Sequence, residues 1–233
     1  MAEKIEKLIT NSLTKLKEIY DDNERKYDDN KRKSKLIFPL IGKKKEKQEN
    51  GEKRISEQEA RFLFVHKIEN QGNYYYSVET PTKEKYSGFS TKEPKINPKG
   101  RSASIDVTLY KKNDNGFELK HMIEFKHGNV DTCTKDFLKL LCDDENCGIN
   151  YYINIIKNSD NTAKVNLENT MKNLEGKYYD AVDYIFKKYE IKSKLKIFVC
   201  ILNDIPITEN NIIEYQIIDN ENRSIKAITE KIK

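Results

Sequence analysis

Long apolar runs are missing from this chain of 233 residues. No stretch approaches the roughly 20 continuous apolar residues that a membrane-spanning helix needs. Residues 1–10 also lack the apolar run of a secretory signal. These absences predict a cytoplasmic protein that has no membrane partner.

Cysteine is scarce as well, with four in the chain: Cys133, Cys142, Cys147 and Cys200. Because no export signal is seen and cells keep cytoplasmic thiols reduced, we expect no disulfide. The spacing of Cys142 and Cys147, with Cys133 and His127 upstream, is compatible with a zinc site. The paired, closely spaced motifs of zinc sites are absent, however, so buried structural thiols are the favoured interpretation.

An excess of one sign of charge is also small, since 43 Lys and Arg stand against 38 Asp and Glu. A net charge of +5 permits a nucleic-acid partner without demonstrating one. Hydrophobic residues make up 36% of the chain and are bunched into segments, so we expect a folded domain with a core.

Apolar residues recur at three- and four-residue steps from Ile5 to Tyr20, which predicts a first helix. An apolar patch follows at residues 36–41, either as packing for that helix or as a docking surface, and residues 42–54 resemble a charged linker. We therefore divide the chain into an N-terminal helical extension at residues 1–54 and a domain at residues 55–233. The extension is a candidate contact for a homodimer or another protein.

A second helix is predicted to begin at Ser56, because Ser56 and Glu59 form the S-x-x-E pattern of a capping box. Residues 74–78 have strand character. Residues 80–100 are rich in Pro, Lys, Thr and Gly and predict a loop, with a short strand at residues 86–89.

A β-hairpin is predicted from the two-residue alternation of residues 104–110 and 119–126. A three-residue loop ending at Gly116 would pair residues whose numbers sum to 230. Asp106 would then lie opposite Glu124, with Cβ atoms about 4.5–5.5 Å apart. A slip of one residue would abolish that pairing.

The rest of the chain alternates helices with strands. Helices are predicted at residues 135–142 and 165–189, strands at residues 151–156 and 195–202, and an edge strand at residues 212–218. This order predicts an α/β fold, with a central sheet flanked by helices.

Two carboxylates that face each other repel unless a positive charge lies between them, and a divalent cation is the obvious candidate. Lys126 projects from the same strand face as Glu124, roughly 6.5–7 Å further along the strand. Oxygen ligands of this kind suit Mg²⁺ or Mn²⁺ better than zinc. The set therefore points to phosphodiester chemistry, with Lys126 beside the attacking water.

These residues carry a family resemblance. Ser-Ile-Asp106-Val, followed by Ile-Glu124-Phe-Lys126, resembles the PD-(D/E)xK nucleases, also called restriction-endonuclease-like, over residues 56–202. The resemblance implies an αβββαβ core with a central mixed sheet, and a metal held by the side chains of Asp106 and Glu124 and by the carbonyl of Phe125. It also implies a catalytic Lys126 and a helix acid at Glu59, or else at Glu57, and Ile105 stands where the family often has proline.

Each of these assignments has a plainer alternative. Glu124 and Lys126 could belong to an ordinary charged strand face, Glu59 could serve only the capping box, and His127 could merely end its strand. The cations near the site are candidates for contacting nucleic-acid backbone, although a solvated surface is the alternative: Lys95, Lys99, Arg101, His127, Lys135 and Lys139.

The sequence thus predicts a Mg²⁺-dependent endonuclease that acts on DNA, with RNA as a further possible substrate and a role in restriction or another defence against foreign DNA. The alternative is a nucleic-acid-binding or protein-interaction module that has this fold without turnover.

Overall fold

The computed structural model describes residues 2–22, 35–38, 40–41, 52–71, 74–91, 93–128, 133–144, 148–157, 164–202 and 211–226. The helices are α1 (Ala2–Asp22), α2 (Glu57–Gln71), α3 (Thr134–Cys142) and α4 (Lys164–Lys188). The strands are β1 (Leu40–Ile41), β2 (Glu52–Lys53), β3 (Tyr75–Ser87), β4 (Lys95–Ile96), β5 (Arg101–Asn113), β6 (Gly116–His127), β7 (Ile149–Ile156), β8 (Lys194–Ile201) and β9 (Ile212–Glu214).

Seven strands form one mixed sheet in the order β4-β3-β5-β6-β7-β8-β9. Strands β3, β5 and β6 pair antiparallel, whereas β6, β7 and β8 run parallel and β9 returns antiparallel. The two short strands β1 and β2 pair with each other and, among the described residues, are separate from this sheet. The predicted α/β class is therefore confirmed, and the predicted edge strand is shorter than expected.

Helices cover both faces of the sheet. Apolar residues of α1 and α2 pack with Ile123 and Phe125 on one face, and those of α3 and α4 pack with Met122 on the other. The alternation predicted for β6 is thus confirmed. None of the described helices has the length and apolar character needed to cross a membrane.

The apolar stripe of α1 is buried in the core that α2 shares with the sheet. From the patch that follows, Phe38 is buried against Tyr20, with ring centroids 5.9 Å apart, whereas Ile37 is exposed. The apolar face of α1 is therefore covered by this chain. Residues 42–51 of the predicted linker lie outside the described residues.

Strand β3 is much longer than the sequence suggested, so the predicted loop at residues 80–100 is wrong over its first third. The strand continues through Pro81 and pairs with β5 as far as Tyr86 opposite Arg101. Proline has no N–H to donate, and the pairing shifts register between Pro81 and Lys85. Strand β4 pairs with β3 only at Tyr86 and Ser87, which leaves Pro81 at an edge where a missing donor is tolerated.

The hairpin reaches the predicted register by a different route. Asn113 pairs with Gly116, so the loop has two residues. In the pairs next to this loop, the two residue numbers sum to 229. A bulge between Leu109 and Tyr110 then shifts the register, and Val107 lies opposite Ile123, which sums to 230. The ladder ends at this pair, one residue before the predicted pair of Asp106 and Glu124.

Candidate active site

Asp106 lies where the regular pairing of β5 and β6 stops. The last paired residues are Val107 and Ile123, and beyond them the Oδ2 of Asp106 accepts a hydrogen bond of 2.7 Å from the N–H of Phe125. Val107 packs with α1 and α2, but Ile105 packs with α3 and α4, although the two are a strand period apart. The strand therefore changes face at Asp106, and the side chain replaces a backbone acceptor.

Glu124 is the most deeply buried acid of the predicted set, with 2% of its side chain exposed. Lys139 reaches it from α3, with Nζ 2.5 Å from Oε1. The same ammonium donates to the carbonyl of Ser104 at 2.9 Å and lies 3.2 Å from a carboxylate oxygen of Asp136. Lys139 thus ties α3 to β5 and β6, and its side chain lies within the site instead of on the open helix surface.

Lys126 is next along the same strand face. Its Nζ lies 3.7 Å from Oδ2 of Asp136, and 23% of its side chain is exposed. Burial lowers the pKa of Lys126, but the carboxylates of Asp136, Glu124 and Asp106 raise it, and the net pKa is above the usual value. Lys126 is therefore held as an ammonium ion that still has access to solvent.

The acids of the site are shifted in the direction that favours binding of a proton or a cation. Burial raises the pKa of Glu124, and although Lys139 opposes this, Asp136 and Asp106 add to it. Burial also raises the pKa of Asp106, against the opposing effects of the Phe125 N–H and Lys126. Desolvation of the charged forms is thus the dominant cause for both carboxyl groups.

Arg61 of α2 brings a further cation to Asp106, with Nη1 3.4 Å from Oδ1. The guanidinium also pairs with Glu79 of β3, whose Oε2 accepts a 2.8 Å hydrogen bond from Ser104. Glu79 has a φ of 50°, an uncommon backbone conformation for a residue with a side chain. Such strain persists only where surrounding contacts fix it, and here Arg61 and Ser104 supply those contacts.

The roles of Arg61 and Glu79 were not predicted from the sequence, nor was the burial of Asp136 and Lys139. A signal for the last two was available: this pair, three residues apart, interrupts the apolar run of α3, and both its members are buried. Arg61 directly follows the buried Ala60 and could have been noticed as a cation beside the buried face of α2. The strained position of Glu79 has no sequence signal that we can identify.

Glu59 occupies the capping box. Its Oε2 accepts hydrogen bonds from the backbone N–H of Ser56 at 2.9 Å and from its hydroxyl at 2.7 Å. Nearby His127 has a pKa lowered by burial, against the opposing effects of Glu57 and Glu59. The Nε2 of His127 is buried without a hydrogen-bond partner among the described residues. The first turn of α2 therefore lies beside the end of β6, at the margin of the site.

The predicted backbone-contacting cations divide into two groups. Lys99, Arg101, Lys135 and Lys139 line one cavity of about 690 Å³. Lys95 lies on the exposed side of β4 and His127 at the end of β6, and neither lines this cavity. The structure thus brings four of the six cations together on the α3 side of β5.

A divalent cation is implied by the family resemblance, and the chemistry of the donors fits one. Asp106, Glu124 and the Phe125 carbonyl are hard oxygen donors of the kind that Mg²⁺ and Mn²⁺ prefer. Within the described part of the chain, no group of at least three His, Cys, Asp or Glu side chains is arranged to hold a metal ion. Arg61 and Lys139 now contact the two carboxylates, so metal binding requires at least Lys139 to move.

The cysteines show no comparable arrangement. Cys133, Cys142 and Cys200 are free and buried in the core, and Cys147 lies outside the described residues. Burial raises the pKa of Cys142 to about 12 and that of Cys200 to about 12, so these thiols are protonated. Zinc binds the thiolate form, which this environment disfavours.

Comparisons with protein-family models, with curated proteins and with solved structures find no match for this chain. The resemblance to the PD-(D/E)xK nucleases therefore rests on the residues themselves and on the order of their elements.

Proposed function

We propose that this protein is a metal-dependent nuclease of the restriction-endonuclease-like class, which hydrolyses phosphodiester bonds of DNA. One observation carries the proposal: Asp106 and Glu124 come together on adjacent strands, with the ammonium of Lys126 on the same face as Glu124. The order α2, β3, β5, β6, α3 and β7 agrees with the αβββαβ core that the resemblance implies. By family analogy, the biological role is restriction or another defence against foreign DNA.

In this proposal Asp106, Glu124 and the Phe125 carbonyl hold Mg²⁺, for which Mn²⁺ can substitute. When bound, the ion supplies a water of lowered pKa and stabilises charge that develops on phosphorus. Asp106 is kept in position by the Phe125 N–H, which leaves its Oδ1 facing Arg61 at 3.4 Å.

Lys126 acts as a cation in this scheme. Its pKa is raised by three neighbouring carboxylates, so donating a hydrogen bond suits it better than accepting a proton. The ammonium orients the attacking water or contacts a phosphate oxygen, and its partly exposed side chain lets substrate reach it. Asp136 keeps the ammonium on the correct face of the sheet.

Lys139 has a separate role, which is to compensate the buried charge of Glu124 when no metal is bound. An unpaired charge at this depth would be strongly destabilising. Release of Lys139 from Glu124 would leave its ammonium beside the basic cavity, where a substrate phosphate can take over as its partner.

A second candidate is a binding module of the same fold that performs no hydrolysis. The observation in its favour is that the acids of the site already have cation partners without a metal: Arg61 contacts Asp106, Lys139 contacts Glu124, and Lys126 and Lys139 contact Asp136. Burial raises the pKa of Asp106 and that of Glu124, and carboxyl groups with shifted pKa values cluster at functional sites, which supports the nuclease.

The test is a cleavage assay on supercoiled plasmid, linear duplex, single-stranded DNA and RNA, each with Mg²⁺, Mn²⁺ or EDTA. We expect cutting of DNA with either metal, none in EDTA, and loss of cutting in Asp106→Asn and Glu124→Gln. Lys187→Met is the control, because Lys187 is an exposed residue of α4 outside the site. Failure to cut any substrate, with intact binding in all variants, would favour the binding module.

A further inference from the structure

The basic cavity lies between the turn after β3, the start of β5, and α3. Its volume of about 690 Å³ is within the range of roughly 300–1,000 Å³ that is usual for pockets holding a small organic molecule. Two of its lining residues, Ser104 and Lys139, bond to each other and also contact the acids of the candidate active site. The cavity therefore opens from the site itself.

The charge of the cavity is unbalanced. Lys99, Arg101 and Lys135 line it, and in the described ranges none of them forms an ion pair with a carboxylate. No acidic side chain is found among the described residues of its wall. Cations that converge without a counter-charge favour an anionic occupant, and Arg and Lys both suit phosphate oxygens.

An aromatic platform forms one wall of the same cavity. Phe89 stacks on Tyr86 with ring centroids 5.3 Å apart and an interplanar angle of 27°. Tyr86 is buried, and its hydroxyl donates a hydrogen bond of 3.1 Å to Asp143, which holds the ring beneath Phe89 in place. Phe89 is only partly buried, and Lys135 lies 6.0 Å from its centroid, at the outer limit of a cation–π contact.

The backbone around this platform is closely packed. A Cβ atom on Gly100 would lie 2.2 Å from the carbonyl oxygen of Tyr86, so the turn before β5 can pack this closely only with glycine. Gly88, at a φ of +73°, makes the turn that presents Phe89. An aromatic face beside several cations suits a ligand that carries both a planar ring and a phosphate.

We propose that this cavity binds one unpaired nucleotide of the nucleic-acid substrate, with its base stacked on Phe89 and its phosphate at Lys99, Arg101 and Lys135. The inference rests on the proposed function only in treating the strand as substrate. A base inside a duplex is stacked between its neighbours and cannot enter such a cavity without leaving the helix. The substrate class is therefore single-stranded DNA, or DNA with unpaired nucleotides at the cleavage position.

The test measures binding in EDTA, so that no cleavage occurs. The probes are a fluorescently labelled oligothymidine, an abasic strand of equal length and charge, and a closed duplex hairpin. We expect the wild-type protein to prefer oligothymidine over the abasic strand by about 5- to 100-fold, the range that base–aromatic stacking supports. Phe89→Ala removes this preference and leaves the affinity for the abasic strand unchanged.

Phe117→Ala is the matched aromatic control. Phe117 is exposed and pairs with Lys112 near the hairpin turn, whereas the cavity lies at the other end of β5. Should Phe89→Ala fail to fold, Phe89→Leu keeps an apolar side chain without the ring. Arg101→Gln should reduce the salt dependence of binding by about one phosphate contact. Its control is Arg223→Gln, because Arg223 contacts the ring of Phe186 in α4 and does not line the cavity.

Equal affinities of wild type and Phe89→Ala for oligothymidine would overturn the proposal, and so would equal binding of the closed hairpin and oligothymidine. These results are distinguishable from failure of the proposed function. Binding that depends on Phe89, without any cleavage, would contradict the nuclease and support the nucleotide-binding cavity. Cleavage that depends on Lys126, with binding that does not depend on Phe89, would support the nuclease and contradict the cavity proposal.

Discussion

The carboxylate of Asp106 accepts a hydrogen bond from the backbone N–H of Phe125 at 2.7 Å, just beyond the last paired residues of β5 and β6. This bond holds Asp106 beside Glu124, the residue before Phe125, although the regular ladder has ended. A side chain that takes the place of a backbone acceptor links the stability of the hairpin to the geometry of the site.

Two substitutions at Asp106 should separate the hydrogen bond from the charge. Asp106→Asn keeps an oxygen acceptor for the Phe125 N–H, whereas Asp106→Ala leaves that N–H without one. We expect the free energy of unfolding to be about 1–3 kcal/mol lower in Asp106→Ala than in Asp106→Asn, measured by urea denaturation. Equal stability of the two variants would show that the bond contributes nothing.

Lys139→Met should change how much a divalent metal stabilises the protein. In EDTA the variant loses the cation that compensates Glu124, so its melting temperature should fall. Mg²⁺ or Mn²⁺ then supplies the missing charge without having to displace an ammonium. The metal-induced rise in melting temperature should therefore be larger in Lys139→Met than in wild type or in Lys187→Met. A smaller rise in Lys139→Met would contradict the account.

Glu59 can be assigned to the capping box or to catalysis by comparing two variants. Glu59→Gln can still accept hydrogen bonds from Ser56, whereas Glu59→Ala cannot. We expect unfolding free energies close to wild type for Glu59→Gln and about 1 kcal/mol lower for Glu59→Ala. If the residue serves only the cap, cleavage by Glu59→Gln stays at the wild-type rate, and a large loss at unchanged stability would assign it to the site.

His121 should make the fold sensitive to acid. Burial lowers the pKa of this side chain, against the hydrogen bond to the Ile149 carbonyl, and its Nε2 has no hydrogen-bond partner among the described residues. Because the folded pKa is depressed, the neutral form contributes stability above the unfolded value of about 6.5, and this contribution is lost as pH falls through the folded pKa.

The check is the melting temperature of wild type and His121→Gln between neutral pH and about pH 5. The wild type should lose more melting temperature on acidification than His121→Gln does. His66→Gln, which alters an exposed histidine of α2, should follow the wild type. Parallel curves for all three proteins would exclude a contribution from His121.

Periodicity was enough to predict the α/β class and the helices on both faces of the sheet. Residues along β6 alternate between the two cores, and that pattern is visible in the sequence. The acid pair was predicted partly through the wrong loop, since the bulge at Leu109 compensates for a turn one residue shorter than expected. The residues that flank this bulge give no sequence signal that predicts it.

The cations of the site were harder to predict because their roles depend on tertiary contacts. Lys139 and Lys135 look alike in sequence and both line the cavity, yet only Lys139 of the two is buried against Glu124. Strand β3 was underestimated because Pro81 and the Lys-rich residues after it resemble a loop. An edge position with a register shift accommodates both, and only the sheet order reveals that edge.

The most direct test of the central claim is the single-turnover rate of DNA cleavage by Lys126→Met, measured with enzyme in excess and Mg²⁺ present. We expect a rate about 100- to 1,000-fold below wild type, with DNA affinity retained and with Lys187→Met at the wild-type rate. Cleavage by Lys126→Met at the wild-type rate, or wild-type cleavage that continues in EDTA, would contradict it.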